Sequence, residues 1–120
     1  MKYLLLCCHE EKDFDAMSKS ECDAMMQKTM AYCEVLKKTG QLLAVEQLEP
    51  VQTARTVRVR NGKAAVTDGP FAETKEQLGG YFLIEARDLN EAIQVASNFP
   101  SVRFGTMEVR PVRDLPGSAD

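Results

Sequence analysis

The feature that most constrains the fold is the dipeptide Asn61-Gly62, which separates two short runs of strand-forming residues. Asn-Gly favours a two-residue type I′ turn, and such a turn fixes the register of a β-hairpin. Counting outward from the turn places Arg55 directly opposite Asp68. The same count predicts that the two faces of the hairpin differ. The apolar face is formed by Val57, Val59, Ala64 and Val66, and the basic face is formed by Arg58, Arg60 and Lys63.

A strand–helix–strand unit precedes the hairpin. Residues 1–8 are an apolar run of strand length, and Ser18 with Glu21 has the form of a capping box that begins a helix. The helix is expected to end at Gly40, and a second strand begins at Leu42. The predicted buried stripe of the helix consists of Cys22, Met26, Thr29, Cys33 and Leu36.

A second strand–helix–strand unit follows the hairpin. Residues 80–86 read as an apolar strand, and Asp88 with Glu91 marks the start of a shorter helix that stops before Pro100. Residues 104–110 read as the last strand. The predicted buried stripe of this helix consists of Leu89, Ala92, Ile93 and Ala96.

Two such units with an inserted hairpin predict an α+β fold, a ferredoxin-like sandwich of the dimeric α/β-barrel type in the order βαβ-hairpin-βαβ. Two helices then cover one face of a mostly antiparallel sheet. The strands that contain Leu4, Leu42 and Tyr81 are nevertheless apolar on both faces. We therefore expect a homodimer that packs through the second sheet face.

Length and charge exclude several classes of protein. The 120 residues suit a single domain, predicted at residues 1–112, with a polar and mobile tail at 113–120. The formal net charge of −3 argues against direct nucleic-acid binding. The apolar run at the N-terminus is too short for a signal peptide or a membrane span, which predicts a cytoplasmic location and no membrane contact.

The cysteines give no sign of a metal or redox centre. Cys7, Cys8, Cys22 and Cys33 contain no C-x-x-C pair, and their spacing matches no metal framework. Buried reduced thiols are expected, with no cofactor and no bound metal.

The run from Asp68 to Gly80 is the candidate site, because Asp-Gly-Pro specifies a rigid start for a long loop inside a small domain. Together with the adjacent hairpin and strand it supplies the predicted ligand-binding residues, which are Arg55, Asp68, Gly69, Pro70, Phe71, Glu73, Lys75 and Tyr81.

The sequence Asp-Gly-Pro-Phe at 68–71, its continuation to Gly80 and Glu-Val-Arg-Pro at 108–111 resemble the DGPF branch of the YCII-related family. The resemblance covers residues 1 to about 112 and implies a small dimeric ferredoxin-like domain. The wider family resembles a small-molecule lyase or isomerase with a helix His paired to an Asp. This chain has Thr29, or a neighbour, and Asn98 at those places. The His/Asp mechanism of the wider family is therefore not expected here.

Other residues have competing interpretations. His9 follows the first strand beside two acids and is a weak candidate base, although a solvated loop histidine is the simpler explanation. Asp68 is either a turn cap and ion-pair partner of Arg55 or a carboxylate that faces a pocket. Phe71 is expected as a buried anchor in preference to a ligand-stacking ring. Glu73 and Lys75 are expected in a solvated charge run, with Lys75 as a possible anion contact.

Two functions remain open at this stage. One is a homodimer that binds a small molecule near the run from Asp68 to Gly80, called the DGPF loop below, with a lyase- or isomerase-like reaction as an extension of this function. The other is a regulatory or protein-interaction module linked to alternative sigma factors, which the resemblance implies. A deep polar pocket under the loop would favour the first function, and a flat apolar patch would favour the second.

Overall fold

The computed structural model describes residues 1–117, in which both strand–helix–strand units contribute to one sheet. In chain order the elements are β1 (Lys2–His9), α1 (Glu11–Asp15), α2 (Lys19–Lys38), β2 (Leu42–Gln47), β3 (Arg55–Arg60), β4 (Lys63–Asp68), β5 (Gln77–Glu85), α3 (Leu89–Ser97) and β6 (Thr106–Pro111), with single 3₁₀ turns at Val51–Thr53 and Pro100–Arg103.

The four-stranded sheet has the order β2-β5-β1-β6, and every neighbouring pair is antiparallel. This order, with α2 and α3 on one face, is the predicted ferredoxin-like sandwich. The strand β1 is central, as expected from its continuous apolar run. The strand β5 begins three residues before the predicted start at Gly80, because Gln77 already pairs with His9.

Both ends of α2 are fixed by local sequence. The Ser18 hydroxyl accepts from the Glu21 N–H at 3.1 Å while the Glu21 carboxylate accepts from the Ser18 N–H, which confirms the capping box. At the other end Gly40 has φ +78°, and the N–H of Gln41 donates to the Leu36 carbonyl at 2.8 Å. This is a Schellman ending, so the predicted C-terminal glycine is confirmed.

The core lies between the sheet and the two long helices. Leu5 and Ile84 are fully buried, and the Phe99 ring stacks on Phe82 with centroids 4.0 Å apart. Tyr32 meets the same Phe99 ring edge-on at 4.7 Å. These contacts fix the two helices against the sheet.

Both predicted helix stripes are partly wrong. On α2, Cys33 and Leu36 are buried, but Met26 is exposed and Met25 is the half-buried neighbour. On α3, Ala92 and Ala96 are buried as expected. Val95 is buried instead of Leu89 and Ile93, which are both exposed. A helix of nine residues packs on the sheet through a narrow face. An apolar side chain one position away from that face is directed to solvent.

The hairpin, which we call the arm (Arg55–Asp68), has the predicted register throughout. Val57 pairs with Val66, and Arg55 pairs with Asp68. Asn61 and Gly62 have φ of +53° and +76°, the values that a type I′ turn requires. The predicted apolar face is not buried within one protomer. The valine face of the arm (Val57, Val59, Ala64, Val66) is exposed at every position.

The second face of the four-stranded sheet, which we call the open face, is apolar at its centre. The register places Leu4 beside Leu83 and Leu6 beside Tyr81, and all four side chains are half-buried. The strand β2 was expected to be covered on both faces, but Leu43 is 46% exposed. This strand forms an edge of the sheet, and its register with β5 shifts between Leu42 and Ala44, so Leu43 lies at an irregularity of that edge.

The shape is flat. The principal extents are 48 × 46 × 19 Å, and the radius of gyration is 16.5 Å. A compact chain of this length would have a radius of gyration of about 13.6 Å. The arm that projects from a two-layer sandwich accounts for the excess.

The predicted domain limits, 1–112 with a mobile tail at 113–120, stay a prediction. The last strand ends at Pro111, and residues 118–120 of the tail lie outside the described residues. Among the helices within residues 1–117, none has the length and apolar character that a bilayer crossing requires.

Candidate functional site

The start of the DGPF loop is held by the base of the arm. Gly69 has φ +89° and its N–H donates to the Ala54 carbonyl at 2.8 Å. The Thr56 hydroxyl donates to the Gly69 carbonyl at 2.8 Å, and Arg55 Nε lies 3.1 Å from the Asp68 carboxylate. The predicted ion pair is therefore confirmed. This contact with Arg55 supports the interpretation of Asp68 as an ion-pair partner over that of a carboxylate that faces a pocket.

A second segment, residues 48–54, lies across from the loop. The Leu48 N–H donates to the Gly79 carbonyl at 2.8 Å, and the Val51 N–H donates to the Glu11 carboxylate at 3.0 Å. This wall was not predicted from the sequence. The sequence feature that indicates the wall is the run Leu-Glu-Pro-Val at 48–51, in which apolar residues continue past the proline.

The two segments border an open cleft of about 540 Å³. Its walls come from residues 48–56, the DGPF loop and the start of β5. The lining residues are Leu48, Glu49, Pro50, Val51, Thr53, Ala54, Arg55, Thr56, Pro70, Phe71, Ala72, Thr74, Gln77 and Leu78.

Phe71 is 79% exposed, so its prediction as a buried anchor is wrong. The loop leaves from the base of a projecting arm, and the sandwich offers no core beneath it. An aromatic ring at the mouth of a cleft provides apolar contact area for a ligand.

The lining is mainly apolar, and its polar groups are largely satisfied. The Thr53 hydroxyl donates to the Pro50 carbonyl at 2.7 Å, and the Thr74 hydroxyl donates to the Glu76 carbonyl at 2.6 Å. Glu49 and Arg55 are the ionisable residues among the lining. This arrangement suits the binding of an apolar or aromatic body more than proton transfer.

The predicted site residues divide into three groups. Arg55, Pro70 and Phe71 line the cleft, whereas Asp68 and Gly69 hold its rim. The remaining three, Glu73, Lys75 and Tyr81, are not among the lining residues.

Those three side chains have different environments. The Lys75 ammonium lies 3.6 Å from the Glu10 carboxylate, which ties the end of the loop to the end of β1. Glu73 is exposed, as its prediction in a solvated run requires. Tyr81 lies on the open face, paired with Leu6.

His9 is packed, which contradicts its interpretation as a solvated loop residue. It is the last residue of β1, and its ring centroid lies 4.1 Å from that of Phe14 in α1. A Cβ on Gly79 would lie 2.3 Å from His9 Cε1, so glycine there makes room for the imidazole. Its Nδ1 is buried and has no hydrogen-bond partner among the described residues. His9 does not line the cleft.

Thr29 and Asn98 are the residues that the resemblance places where the wider family has its His and Asp. The Thr29 hydroxyl donates to the Met25 carbonyl at 2.9 Å, and Asn98 Nδ2 donates to the Gln94 carbonyl at 3.0 Å. Nearby, burial raises the pKa of Tyr32, whose hydroxyl donates to the Val95 carbonyl at 2.8 Å. These side chains stabilise the helices.

All four cysteines are free thiols, and Cys33 is the one that is buried. Cys7 Sγ donates to the Ser101 hydroxyl at 3.3 Å, and Cys33 is buried in the core. Burial raises the pKa of the Cys8 thiol, and the neighbouring Cys7, Glu108 and Glu76 act in the same direction. A raised pKa keeps a thiol protonated and weakly nucleophilic at neutral pH. Residues 1–117 contain no group of three or more His, Cys, Asp or Glu arranged to hold a metal.

The fold and the loop together define a ferredoxin-like α+β protein with an inserted arm. The model of the YCII-related domain matches residues 1–116, nearly the whole chain. An uncharacterized protein of Rhizobium meliloti (strain 1021) is 39% identical over 114 residues, which cover 93% of this chain and 92% of that protein. The chain belongs to the YCII-related family, as the resemblance of its sequence implied.

Proposed function

We propose that this protein is a cytoplasmic homodimer that binds a small molecule in the cleft between residues 48–56 and the DGPF loop. The observation that carries the proposal is the cleft of about 540 Å³ with the exposed Phe71 ring at its mouth. A large aromatic side chain left 79% exposed at a concave apolar site is typical of a ligand contact.

The chemistry of the lining indicates the class of ligand. Leu48, Pro50 and Val51 on one wall and Pro70 with Phe71 on the other favour a flat apolar or aromatic body. Gln77 also lines the cleft, and its Nε2 already donates to the Thr74 carbonyl at 2.7 Å. The ligand is therefore expected to be held mainly by apolar contact.

The homodimer is supported by the open face. Its centre is formed by Leu4, Leu6, Tyr81 and Leu83, and a charged rim that includes Glu46 and the Glu108–Arg110 pair surrounds it. An apolar centre inside a polar rim is the usual composition of a protein interface. Leu78 lies on this face and also lines the cleft, so a partner on the open face would border the ligand.

A thermal-shift screen of the purified protein against a panel of metabolites tests the ligand. A compound at a hundred times its Kd adds about 2.7 kcal/mol to the free energy of unfolding. Phe71→Ala should weaken the binding of any hit at least tenfold. Phe104→Ala is the matched control, because Phe104 is also partly exposed but lines a different cleft between α2 and Pro100–Arg103. A hit that binds Phe71→Ala as well as it binds the wild type would place the ligand elsewhere.

A lyase- or isomerase-like reaction would need an acid or base at the cleft. Asp68 is the candidate, because its carboxylate is exposed at the rim and pairs with Arg55. A confirmed ligand that the wild type converts and that Asp68→Asn binds without conversion would establish the reaction. Conversion by Asp68→Asn at the wild-type rate would remove Asp68 from that role.

The alternative function is a regulatory module that binds another protein through the open face. The observation that favours it is the flat apolar centre of that face. A monomer at micromolar concentration in sedimentation velocity would favour this alternative, because the face would then be free for a different partner.

A further inference from the structure

The arm is the part of the molecule whose surface is least explained by one protomer. Val57, Val59 and Val66 are 62%, 60% and 63% exposed, although β-branched residues in a paired ribbon normally pack against something. A two-stranded ribbon has no interior of its own and is marginally stable in isolation. The hydrogen bonds at its base join Ala54 and Thr56 to Gly69, so they close the ribbon on itself.

The charge of the arm is opposite to that of the remaining chain. Its fourteen residues contain four Lys or Arg and one acid, a net charge of +3. The other 106 residues contain eleven Lys or Arg and seventeen Asp or Glu, a net charge of −6. Three of the cations lie close to the tip, and within residues 1–117 the side chains of Arg58, Arg60 and Lys63 form no ion pair.

We propose that the arm of each protomer crosses to a second copy of this chain, where its valine face packs on the partner and its basic tip meets the partner's acidic body. The proposal rests on the homodimer proposed above and adds the element that reaches across. Opposite net charges make a second copy the occupant that the observations favour, because the same chain supplies both the basic arm and the acidic acceptor.

The dimensions of the arm limit what this contact can contribute. A six-residue strand is about 20 Å long, and two paired strands are about 10 Å wide, so the valine face covers about 200 Å². Two arms and their two acceptor surfaces then bury about 800 Å², below the 1,200–2,000 Å² of a stable specific interface. The arms are therefore expected to add to the contact through the open face and not to replace it.

The valine face is tested by measuring the dimer dissociation constant in sedimentation equilibrium. The triple variant Val57→Thr, Val59→Thr and Val66→Thr keeps the shape and strand propensity of the ribbon and removes its apolar surface. It should raise the Kd of the dimer at least tenfold. Ala65→Thr on the opposite face of the arm is the matched control and should change the Kd less than twofold.

The outcomes separate the two proposals. A wild-type dimer whose Kd is unchanged in the triple valine variant would overturn the crossing arm and leave the open-face dimer standing. A wild-type monomer would overturn both. Circular dichroism of the triple variant must match the wild type, which shows that the sandwich is folded in the variant.

The basic tip is tested by zero-length coupling of amines to carboxylates. Lys63 is the single lysine of the arm. The experiment uses an equal mixture of ¹⁵N-labelled and unlabelled protein. The peptide that contains Lys63 should be linked to an acidic peptide that carries the other nitrogen isotope. Links that join only peptides of the same isotope, or no links from Lys63, would overturn the placement of the tip on a second copy.

Discussion

The four-stranded sheet and the arm contain the same kinds of strand residues and place them in opposite environments. Leu5 and Ile84 of the sheet are fully buried, whereas Val57 and Val66 of the arm are more than 60% exposed. The sheet is covered by α2 and α3, and within residues 1–117 nothing comparable covers the valine face. An apolar strand pattern therefore predicts a strand and its register, but not the surface that will cover it.

The largest expected effect comes from placing the same charge in both regions. Leu5→Lys puts an ammonium into the core beneath the helices and should lower the free energy of unfolding by more than about 4 kcal/mol, or prevent folding. Val57→Lys should change it by less than about 0.5 kcal/mol in the isolated protomer, because its side chain is already in water. Urea unfolding of both variants at low protein concentration measures the difference. A large loss of stability for Val57→Lys in a monomer would show that the arm packs on its own sandwich.

The second effect concerns the open face, where Leu83 is half-buried. Leu83→Lys should leave the protomer folded and weaken the free energy of dimerisation by about 2 kcal/mol or more, which is the scale of a central interface residue. Light scattering over a range of concentrations measures the mass. A variant that remains a dimer with wild-type Kd would exclude Leu83 from the interface.

The parts of the fold that local sequence specifies were predictable. The capping box at Ser18, the Schellman ending at Gly40 and the turn at Asn61-Gly62 each depend on a few adjacent residues, and each has the predicted form. The pairing of Arg55 with Asp68 follows from the turn alone. Local chemistry also explains why the DGPF loop starts as it does, since Gly69 adopts a positive φ that other residues avoid.

The parts that depend on distant contacts were not predictable. Phe71 is apolar and was expected in the core, but its loop leaves from the arm and finds no core beneath it. The wall formed by residues 48–54 is held by Glu11 and Gly79, which are far away in the sequence. His9 packs because Gly79 lacks a Cβ, a fit that no pattern in either segment indicates.

The third effect compares two glycines with similar strain in the two regions. Gly40 ends a helix of the sandwich with φ +78°, and Gly69 begins the DGPF loop with φ +89°; an added Cβ meets no atom within 4 Å at either position. Alanine should therefore cost about 1–2 kcal/mol locally at both positions.

The two variants should differ in what they destabilise. Gly40→Ala should lower the global free energy of unfolding by the full local cost. Gly69→Ala should lower it less, because the loop can open without unfolding the sandwich, and should instead weaken ligand binding at the cleft. Hydrogen exchange of the arm and the core separates local from global opening. Equal losses of global stability would show that the arm and the sandwich unfold as one unit.

The smallest effect is the ion pair at the base of the arm. The Arg55 and Asp68 side chains are 3.1 Å apart but 55% and 89% exposed, so water and salt screen their attraction. A double-mutant cycle with Arg55→Ala and Asp68→Ala should give a coupling energy of about 0.2–1 kcal/mol. The coupling should decline further in 1 M NaCl. Arg55 also donates to the Ala54 carbonyl at 2.8 Å, so Arg55→Ala alone should cost more than Asp68→Ala. A coupling above about 3 kcal/mol would mean that the pair is buried in solution, and the partner protomer would then have to cover the base of the arm as well as its valine face.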